Sequence, residues 1–327
     1  MSHVPCPVFD RRVIRVRITA DYRNPRETRD GGAERREPRA PVQQPIFLIG
    51  CGRSGTTLLY DILCGQPGLA WFSNYTDRWP GLPQLAVLSR LYAPMRRREL
   101  SLPRAPLPSE GYRIFDYYSA RSAADNNRPL DGSDANPMER LALRRVIAAH
   151  LRFGGGSRFI NKNTRNTRRV PFLHQMFPDA RFIHVIRDPR ATASSLLRVA
   201  FWPALRFWWR DNRTATELPD VDAETLAGEL WAHEVRAGLQ QGLLGDSAYM
   251  EVRYEDLVAA PREQVSAVLK FVGLEWTPSF ESVFDSFAIE DRTSKFRSSL
   301  NDYQLQLIAK ATQPLAQELG YLSDQPW

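Results

Sequence analysis

The chain has 327 residues, of which 43% are hydrophobic and 25% are charged, values that are ordinary for a soluble globular protein. The net charge of +7 favours anionic partners, although charge alone does not distinguish nucleic acid from a nucleotide or an acidic glycan. No apolar run approaches the roughly 20 residues that span a bilayer, so the sequence excludes a transmembrane helix.

The three cysteines show no metal-binding or disulfide pattern. Cys6, Cys51 and Cys64 form neither a CxxC pair nor a paired framework. The N-terminus lacks the apolar core of a secretory signal, so export by that route is not expected. We therefore expect a protein of a reducing compartment, the cytoplasm, without structural zinc.

Residues 1–44 differ in composition from the rest of the chain. Arginines are scattered there among Pro, Gly, Asp and Glu, and only Val13 to Ile18 alternates as a strand would. We predict a basic, flexible N-terminal extension without a chemical role, followed by one domain over residues 45–327. An arm that binds RNA or lipid head groups is the alternative.

The stretch from Pro45 to Leu63 predicts a strand, a glycine-rich turn and the start of a helix. The strand is the apolar run from Ile46 to Ile49, and the helix begins near Thr56. Such a turn points backbone N–H groups and the positive end of the helix dipole at an anion. Small residues permit close approach, and an arginine and two hydroxyls add donors. The residues concerned are Gly50, Gly52, Arg53, Gly55, Thr56 and Thr57.

Downstream, the apolar periodicity predicts alternating strands and helices. Helices of this length between strands favour βαβ units, and hence an α/β fold with a central parallel sheet flanked by helices. The polar segment from Gly111 to Pro137 is predicted to be a surface insertion rather than a core element. The predicted strands are 69–72, 158–160, 181–186 and 249–252, and the predicted helices are 83–91, 138–153, 168–177, 191–199, 223–244, 261–272 and 301–319.

The glycine loop satisfies two common nucleotide-binding patterns only in part. Gly50, Gly52 and Gly55 fit the GxGxxG pattern of dinucleotide-binding proteins. However, no acidic residue follows about 20 positions later to hold a ribose, since the first one is Asp77. The loop also lacks the Walker A lysine that reaches the terminal phosphates of a nucleoside triphosphate. Each interpretation therefore misses a required residue.

The residues from Gly50 to Leu59 (GCGRSGTTLL) resemble the 5′-phosphosulfate-binding loop of sulfotransferases that use 3′-phosphoadenosine 5′-phosphosulfate (PAPS). The arginine before SGTT is similar to the tyrosylprotein and carbohydrate sulfotransferases. The resemblance implies a P-loop NTPase-like three-layer sandwich and a co-substrate that requires no metal. It also implies that Arg53 meets the charge that develops on the sulfonate and the bridging oxygen. The implied binding residues are Gly52, Arg53, Ser54, Gly55, Thr56 and Thr57.

A second segment resembles the 3′-phosphate-binding part of the same family. Residues 177–197 predict a strand, a turn with the sequence RDPR and a helix that carries serines. The resemblance implies that Arg187 and Ser195 donate hydrogen bonds to the 3′-phosphate, with Ser194 as an adjacent alternative. Asp188 leaves a second hypothesis open, since a carboxylate at a strand end also suits the magnesium site of a P-loop kinase.

Three weaker resemblances extend the site. Tyr254, in the sequence YEDL, matches a family tyrosine near the nucleotide, and Lys162 matches a lysine that points at the sulfonate. Residues 291–299 occupy the place of a cationic loop over the nucleotide, with Lys295 as the first choice and Ser294 as the second. A packed core tyrosine and a solvated lysine are the alternatives.

The general base for the acceptor is the least defined residue. Sulfuryl transfer to a hydroxyl usually requires a group that takes the proton. Tyrosylprotein sulfotransferases place a glutamate after the first helix, and cytosolic sulfotransferases place a histidine after the middle strand. Residues 72–77 and 162–164 contain neither. Asp77 is therefore the predicted base, with an N-cap or surface role as the alternative, while His174 and His184 are predicted to be packed or solvated.

The segment from Phe201 to Trp209 (FWPALRFWW) is unusually aromatic. It suits a core segment, a lid over an apolar acceptor pocket, or a surface that contacts membrane lipid. With Trp71, Tyr75 and Trp79, it favours an acceptor that has an apolar or sugar-like face. We expect a small molecule, a lipid or a glycan as the acceptor, and no specific nucleic acid partner.

The resemblance as a whole implies a sulfotransferase. Such an enzyme would move the sulfuryl group from PAPS to a hydroxyl or an amine and release adenosine 3′,5′-bisphosphate. Arg53 and Lys162 would stabilise the negative charge during transfer, and Asp77 would accept the proton. Two further hypotheses remain open at this point: a P-loop kinase or NTPase, and a non-catalytic module that binds a nucleotide or nucleic acid.

Overall fold

The computed structural model of the chain describes residues 42–91, 105–120, 127–239, 244–245 and 247–322. These residues belong to one compact unit, Glu37–Trp327. The predicted N-terminal extension lies outside the described residues apart from positions 42–44. Val42 is buried, and its carbonyl oxygen accepts a hydrogen bond from the Arg144 guanidinium. Within the described ranges, the helices lack the combination of length and apolar sequence that a bilayer crossing requires.

In the described part of the chain, five parallel strands form the central sheet. They are β1 (Ile46–Ile49), β2 (Leu69–Trp71), β3 (Arg158–Lys162), β4 (Arg181–Ile186) and β7 (Tyr249–Arg253), in the spatial order β2-β3-β1-β4-β7. A separate antiparallel ribbon joins β5 (Arg206–Phe207) to β6 (Arg213–Thr214). The sequence prediction of an α/β fold with a parallel sheet is confirmed.

The central strand β1 is apolar throughout because helices cover both faces of the sheet. Phe47 and Ile49 point into one core layer, where Phe47 stacks on Phe182 with ring centroids 5.6 Å apart. Ile46 and Leu48 point into the opposite layer. This alternation follows from the two-residue period of a strand, and it gives the fold its three layers.

Twelve α-helices flank the sheet in the described ranges. They are α1 (Thr56–Cys64), α2 (Asn74–Arg78), α3 (Tyr112–Tyr118), α4 (Pro137–Gly154), α5 (Val170–Met176), α6 (Pro189–Leu196), α7 (Ala223–Leu239), α8 (Tyr254–Ala259), α9 (Pro261–Val272), α10 (Pro278–Phe284), α11 (Asp302–Thr312) and α12 (Leu315–Glu318). Helical turns of the 3-10 type occur at Pro83–Leu91, Gly132–Asp134, Thr164–Arg168, Trp202–Ala204, Ala215–Glu217 and Thr293–Ser298.

Local signals explain where many of these helices begin and end. In α4, the Asn136 side chain accepts from the N–H of Met138, Pro137 occupies the first turn, and Gly155 closes the helix in the left-handed conformation. The predicted last helix, 301–319, is instead divided into α11 and α12. Pro314 causes the division, since it lacks an N–H and favours an extended conformation at the residue before it.

The prediction of a surface insertion over 111–137 was wrong. Helix α3 lies there, and it buries Ile114 and Phe115 in the same core layer as Phe72. Leu130 is buried in that layer as well. The segment looks polar because only a few of its residues face the core, so composition alone did not reveal the element.

The carboxyl ends of the parallel strands meet at one edge of the sheet. The glycine loop follows β1, Lys162 ends β3, Arg187 follows β4 and Tyr254 follows β7. Strand β1 is central: the chain runs from it to β2 and β3 on one side, and then crosses to β4 and β7 on the other side. This is the position at which open α/β sheets bind ligands. The four features predicted from separate parts of the sequence therefore share one edge.

Candidate functional site

The glycine loop is held in a strained, closely packed conformation. Gly50 has φ of 146°, and its N–H donates to the Thr167 hydroxyl at 2.8 Å. Arg53 has φ of 71°, which is uncommon for a residue with a side chain. Gly55 has φ of 89° and precedes α1, whose N-terminus is capped by no described side chain. Leu58 donates its N–H to the Gly55 carbonyl oxygen at 3.0 Å, so Thr56 and Thr57 supply the first-turn N–H groups of α1 that a ligand could bind.

Tyr254 packs directly against the loop. A Cβ atom at Gly55 would lie 2.2 Å from Cδ2 of the Tyr254 ring, so only glycine permits this contact. The guanidinium of Arg187 lies 4.1 Å from the centroid of the same ring. This stack holds the Arg187 guanidinium in a defined position relative to the loop.

Arg187 is an almost fully buried cation held by main-chain oxygens. Its guanidinium donates to the carbonyl oxygens of Arg53 at 3.2 Å and Arg292 at 2.8 Å. Its Nε is buried and has no hydrogen-bond partner in the described ranges. Burial lowers the pKa of Arg187, because the charged form loses hydration. An anionic ligand would restore the missing stabilisation of this charge.

The three serines near the loop face different surroundings. Ser195 accepts a hydrogen bond from Nε of Arg53 at 3.0 Å and lines a cavity. Ser194 is buried and accepts from Arg198 at 2.9 Å, so Ser195 is the serine directed at the site. Ser54, predicted as a ligand contact, is buried beneath the loop and lines neither of the cavities described below.

The first of two cavities at this edge has a volume of about 580 Å³ and a strongly cationic wall. Glu290 is the single carboxylate among the described lining residues, and it pairs with Arg292 at 2.9 Å. The site residues predicted from sequence that line it are Arg53, Gly55, Thr56, Thr57, Arg187, Ser195, Tyr254 and Lys295. Arg198, which the sequence did not indicate, and Arg292, from the predicted cationic loop 291–299, line it as well, whereas Ser294 does not.

The second cavity, of about 530 Å³, adjoins the first through the glycine loop. Gly52 and Lys162 line this cavity, while Arg53, Thr56 and Thr57 line both. Lys162 is buried, and its ammonium group lies 2.5 Å from Oε1 of Glu110. The loop therefore separates a cavity with a cationic lining from a cavity that contains an ion pair.

The aromatic segment contributes to this second cavity and to the core. Trp202 and Phe207 are buried in the core, whereas Phe201, Leu205 and Trp208 line the cavity. Some residues of the segment therefore belong to the core, as one of the alternatives predicted, and others line a cavity. The apolar side chains of the segment and the polar side chains of Glu110 and Lys162 line the same cavity.

A buried ion pair lies at the base of the second cavity. Arg168 pairs with Glu234, and both side chains are almost fully buried. Burial raises the pKa of Glu234, and the adjacent Arg168 opposes this shift. Arg168 also donates to the side-chain and main-chain oxygens of Asn127, both at 2.8 Å. The network joins the turn that follows β3 to α7 and stiffens that wall.

The prediction of Asp77 as the general base is not supported by its position. Its Oδ1 accepts from the N–H groups of Arg113 at 3.0 Å and Ile114 at 3.4 Å, so the carboxylate caps α3. Asp77 lines neither cavity. The alternative that the sequence left open, a capping role, therefore describes it better. His184 is fully buried in β4, with Nδ1 2.7 Å from the Tyr249 hydroxyl, as a packed histidine would be.

Asp188 is also engaged in structural contacts. Its side chain accepts from the N–H of Arg190 at 2.8 Å, capping α6, and pairs with the Arg190 guanidinium at 2.5 Å. A P-loop kinase would require this carboxylate for its magnesium ion. The contacts weaken the kinase hypothesis.

The fold and the site together define a P-loop-type α/β protein with a cationic cavity at its glycine loop. The chain belongs to the sulfotransferase family, a family of transferase enzymes, because the family model matches residues 45–278, more than half of the chain. The match begins at the residue where the sequence predicted the domain to start. The resemblance identified from the glycine loop is thereby confirmed.

Curated relatives from bacteria and animals bear the same family name. The chain is 26% identical over 254 residues to an omega-hydroxy-beta-dihydromenaquinone-9 sulfotransferase, Stf3, of Mycobacterium tuberculosis, covering 70% of this chain and 63% of that protein. It is 24% identical over 234 residues to the protein-tyrosine sulfotransferase 2 of Gallus gallus, covering 71% and 52% respectively. The chain thus spans less than two thirds of the length of these relatives.

A solved structure shares the fold. The crystal structure of sulfotransferase STF9 from Mycobacterium avium superimposes with a TM-score of 0.58 at 21% identity. The match covers 87% of this chain and 78% of that one. At this level of identity the similarity concerns the arrangement of the sheet and helices.

Proposed function

We propose that the protein transfers the sulfuryl group of PAPS to an acceptor hydroxyl or amine and releases adenosine 3′,5′-bisphosphate. The observation that carries this proposal is the pair of cavities that meet at Arg53, Thr56 and Thr57. One cavity is lined by several cations, which suits a ligand with two phosphates and a sulfonate. The other is mixed in character, which suits an acceptor.

The residues present fit the donor. The N–H groups of the loop and of α1 would hold the 5′-phosphosulfate, together with the hydroxyls of Thr56 and Thr57. Arg187 and Ser195 would hold the 3′-phosphate. The buried and unpartnered Nε of Arg187 supports this assignment, because a buried polar group is rarely left without a partner. Tyr254 and Lys295 would complete the wall.

Transfer requires charge stabilisation more than covalent participation of the protein. The sulfur–oxygen bond to the 5′-phosphate breaks as a new one to the acceptor forms, and negative charge accumulates on the leaving oxygen. Arg53, which lines both cavities, and Lys162, which lines the second, would meet this charge. Positioning of the reactants in two adjoining cavities would supply a further part of the acceleration.

For the acceptor, we propose a small molecule, a lipid or a glycan that has an apolar body and a nucleophilic hydroxyl. The second cavity supports this class, since Phe201, Leu205 and Leu230 face the polar side chains of Lys162 and Glu110. Relatives are named for a menaquinone derivative and for protein tyrosine, and a human one, 27% identical over 175 residues, is named carbohydrate sulfotransferase 3. The menaquinone derivative and the carbohydrate fall within the proposed range, whereas protein tyrosine lies outside it.

The proposal is tested by the substitution Arg53→Ala. We expect ³⁵S transfer from labelled PAPS, measured against a panel of phenols, alkanols, lipids and glycans, to fall by about 10²–10³-fold or more. Arg262→Ala is the matched control, because Arg262 is exposed and pairs with Glu281 away from both cavities. Unchanged transfer in Arg53→Ala would contradict the role of this residue.

Ligand binding provides an independent measurement. Adenosine 3′,5′-bisphosphate should raise the melting temperature of the protein in the absence of Mg²⁺. Stabilisation by ATP–Mg²⁺ and none by the bisphosphate would favour a kinase instead. Stabilisation by both without transfer to any acceptor would favour a non-catalytic nucleotide-binding module.

A further inference from the structure

Glu110 occupies a position in the second cavity that the mechanism above does not explain. The residue precedes α3 and is brought to the carboxyl edge of the sheet by a loop that the sequence did not mark. Its main-chain oxygen accepts from the side-chain amides of Asn161 and Asn163, each at 3.1 Å. These two residues flank Lys162 on β3, so the backbone of Glu110 is fixed directly beside that lysine.

The residue before Glu110 is anchored as well. The N–H of Ser109 donates to the carbonyl oxygen of Phe72 at 2.7 Å, and the Tyr60 hydroxyl donates to the carbonyl oxygen of Ser109 at 3.3 Å. Three elements of the core thus hold a loop that would otherwise be free to move. A side chain on such a loop can be positioned precisely enough for chemistry.

The two carboxylate oxygens of Glu110 have different contacts. Oε1 forms the ion pair with Lys162 at 2.5 Å, whereas Oε2 is buried and has no hydrogen-bond partner in the described ranges. The phenol of Tyr112 lies nearby and bonds to Thr164 at 2.9 Å. Burial, then the negative charge of Glu110, and then a side-chain hydrogen bond with Glu110 raise the pKa of that phenol. A buried carboxylate oxygen without a partner is costly unless it has a ligand to bind.

We propose that Glu110 is the catalytic residue that accepts the proton of the acceptor hydroxyl, an inference that rests on the proposed sulfuryl transfer. As the acceptor oxygen bonds to sulfur, its O–H electron pair becomes available for that bond and its proton passes to the Glu110 carboxylate. The sulfur–oxygen bond to the 5′-phosphate breaks, and its electron pair leaves with the phosphate oxygen. No further reactant is needed, so the step balances.

The placement of Lys162 beside Glu110, in a cavity that residues of the glycine loop also line, is consistent with this role. The ammonium group orients the carboxylate and lines the same cavity as Arg53 of the glycine loop. A purely structural function of Glu110, in which it only holds Lys162 in place, is the competing explanation. The two explanations predict different results when the carboxylate is removed. If Glu110 is the base, the loss of activity depends on the acidity of the acceptor; if it is structural, the loss is the same for all acceptors.

The test compares Glu110→Gln with the wild-type protein on a series of substituted phenols and alkanols, with [³⁵S]PAPS as the donor. Glutamine is isosteric and keeps an acceptor oxygen for Lys162. We expect kcat/KM to fall by about 10²–10⁴-fold for weakly acidic alcohols. The loss of kcat/KM should be smaller for acidic acceptors such as 4-nitrophenol, because these ionise without a general base. Asp77→Asn, at the base predicted from sequence, should keep its transfer rate.

Several results would overturn the inference. An equal loss across the acceptor series would assign Glu110 a structural role, and an unchanged rate would exclude it from the reaction. If the wild-type protein transferred the sulfuryl group to no hydroxyl, there would be no acceptor proton for Glu110 to take, and the inference would fail. Binding of adenosine 3′,5′-bisphosphate, measured by thermal shift, should be the same in Glu110→Gln. Failure of the wild-type protein to bind it would contradict the proposed function instead.

Discussion

At the scale of single residues, the three glycines of the loop have different physical requirements. Gly55 has φ of 89°, and a Cβ added to it would lie only 2.2 Å from the Tyr254 ring. Gly50 is similarly confined, since its added Cβ would lie 2.5 Å from the carbonyl oxygen of Val185. A Cβ at Gly52 would meet only Leu196, at 3.9 Å. The fold therefore requires glycine at two positions, while the third leaves open space beside the cavity.

The pair Gly55→Ala and Gly52→Ala separates stability from ligand binding. Gly55→Ala should lower the free energy of unfolding by about 1–3 kcal/mol and weaken nucleotide binding, because it strains the backbone and displaces Tyr254. Gly52→Ala should fold with wild-type stability and lose affinity alone, if a ligand approaches the backbone there. Urea denaturation and a bisphosphate titration measure the two quantities. Equal stability of the two variants would contradict this account.

At the scale of elements, α3 shows how a distant side chain can define a helix. Its N-terminal N–H groups are satisfied by Asp77, which lies 36 residues earlier than Arg113 in the chain. The helix is short, with Tyr112–Tyr118, and its cap is supplied from α2 rather than from its own flank. Local start signals could not reveal it, whereas α4, with its own Asn136 and Pro137, was predicted correctly.

Removal of the Asp77 carboxylate should affect the element and leave the chemistry intact. Asp77→Ala should cost about 0.5–2 kcal/mol of unfolding free energy, because two N–H groups of α3 lose their acceptor. Asp77→Asn keeps an acceptor oxygen and should cost less. Sulfuryl transfer at saturating substrate should persist in both variants. A loss of more than about a hundredfold in Asp77→Asn, without unfolding, would restore Asp77 as the base.

At the scale of the whole molecule, two buried histidines link stability to pH. Burial lowers the pKa of His150 to about 4 and that of His184 to about 3. Both rings are neutral in the folded protein at neutral pH, while the unfolded chain protonates them near a pH of about 6.5. His150 packs edge-on against Phe72 at 4.8 Å, and His184 packs against Gly238, so neither ring can readily be hydrated in place.

Stability should therefore fall as the pH decreases from about 6.5 towards 4. In this window the unfolded state binds more protons than the folded state, so each histidine lowers the unfolding free energy by up to about 1.4 kcal/mol per pH unit. At pH 5, the two together remove on the order of 4 kcal/mol relative to neutral pH.

Urea denaturation at pH 7 and pH 5 measures this effect. His150→Gln should be less stable at pH 7 through lost packing, yet its stability should change less between the two pH values than that of the wild-type protein. His184→Gln should behave in the same way. If both variants kept the full wild-type pH dependence, the buried histidines would not be its origin.

The parallel α/β fold, the glycine loop and the Arg187–Ser195 segment could all be predicted from the sequence. Each of these depends on residues that are adjacent in the chain, and their spacing carries the geometry: a strand, a tight turn and the first turn of a helix. The positions of Lys162 and Tyr254 at the same edge follow from parallel strands, whose carboxyl ends must meet. Local conformation and strand direction are enough to fix these features.

Which side chains face the cavities depends instead on tertiary packing. Ser195 rather than Ser194 is directed at the first cavity, because packing sets the rotation of α6. Glu110 lies against Lys162 although 52 residues separate them, and Asp77 is drawn away to cap α3. Such contacts join residues that are distant in the chain and lie on irregular loops. The sequence of such loops has no hydrophobic periodicity from which their path could be predicted. Most residues of the first cavity were therefore predictable from the sequence, whereas the contacts of Glu110 in the second cavity required the fold.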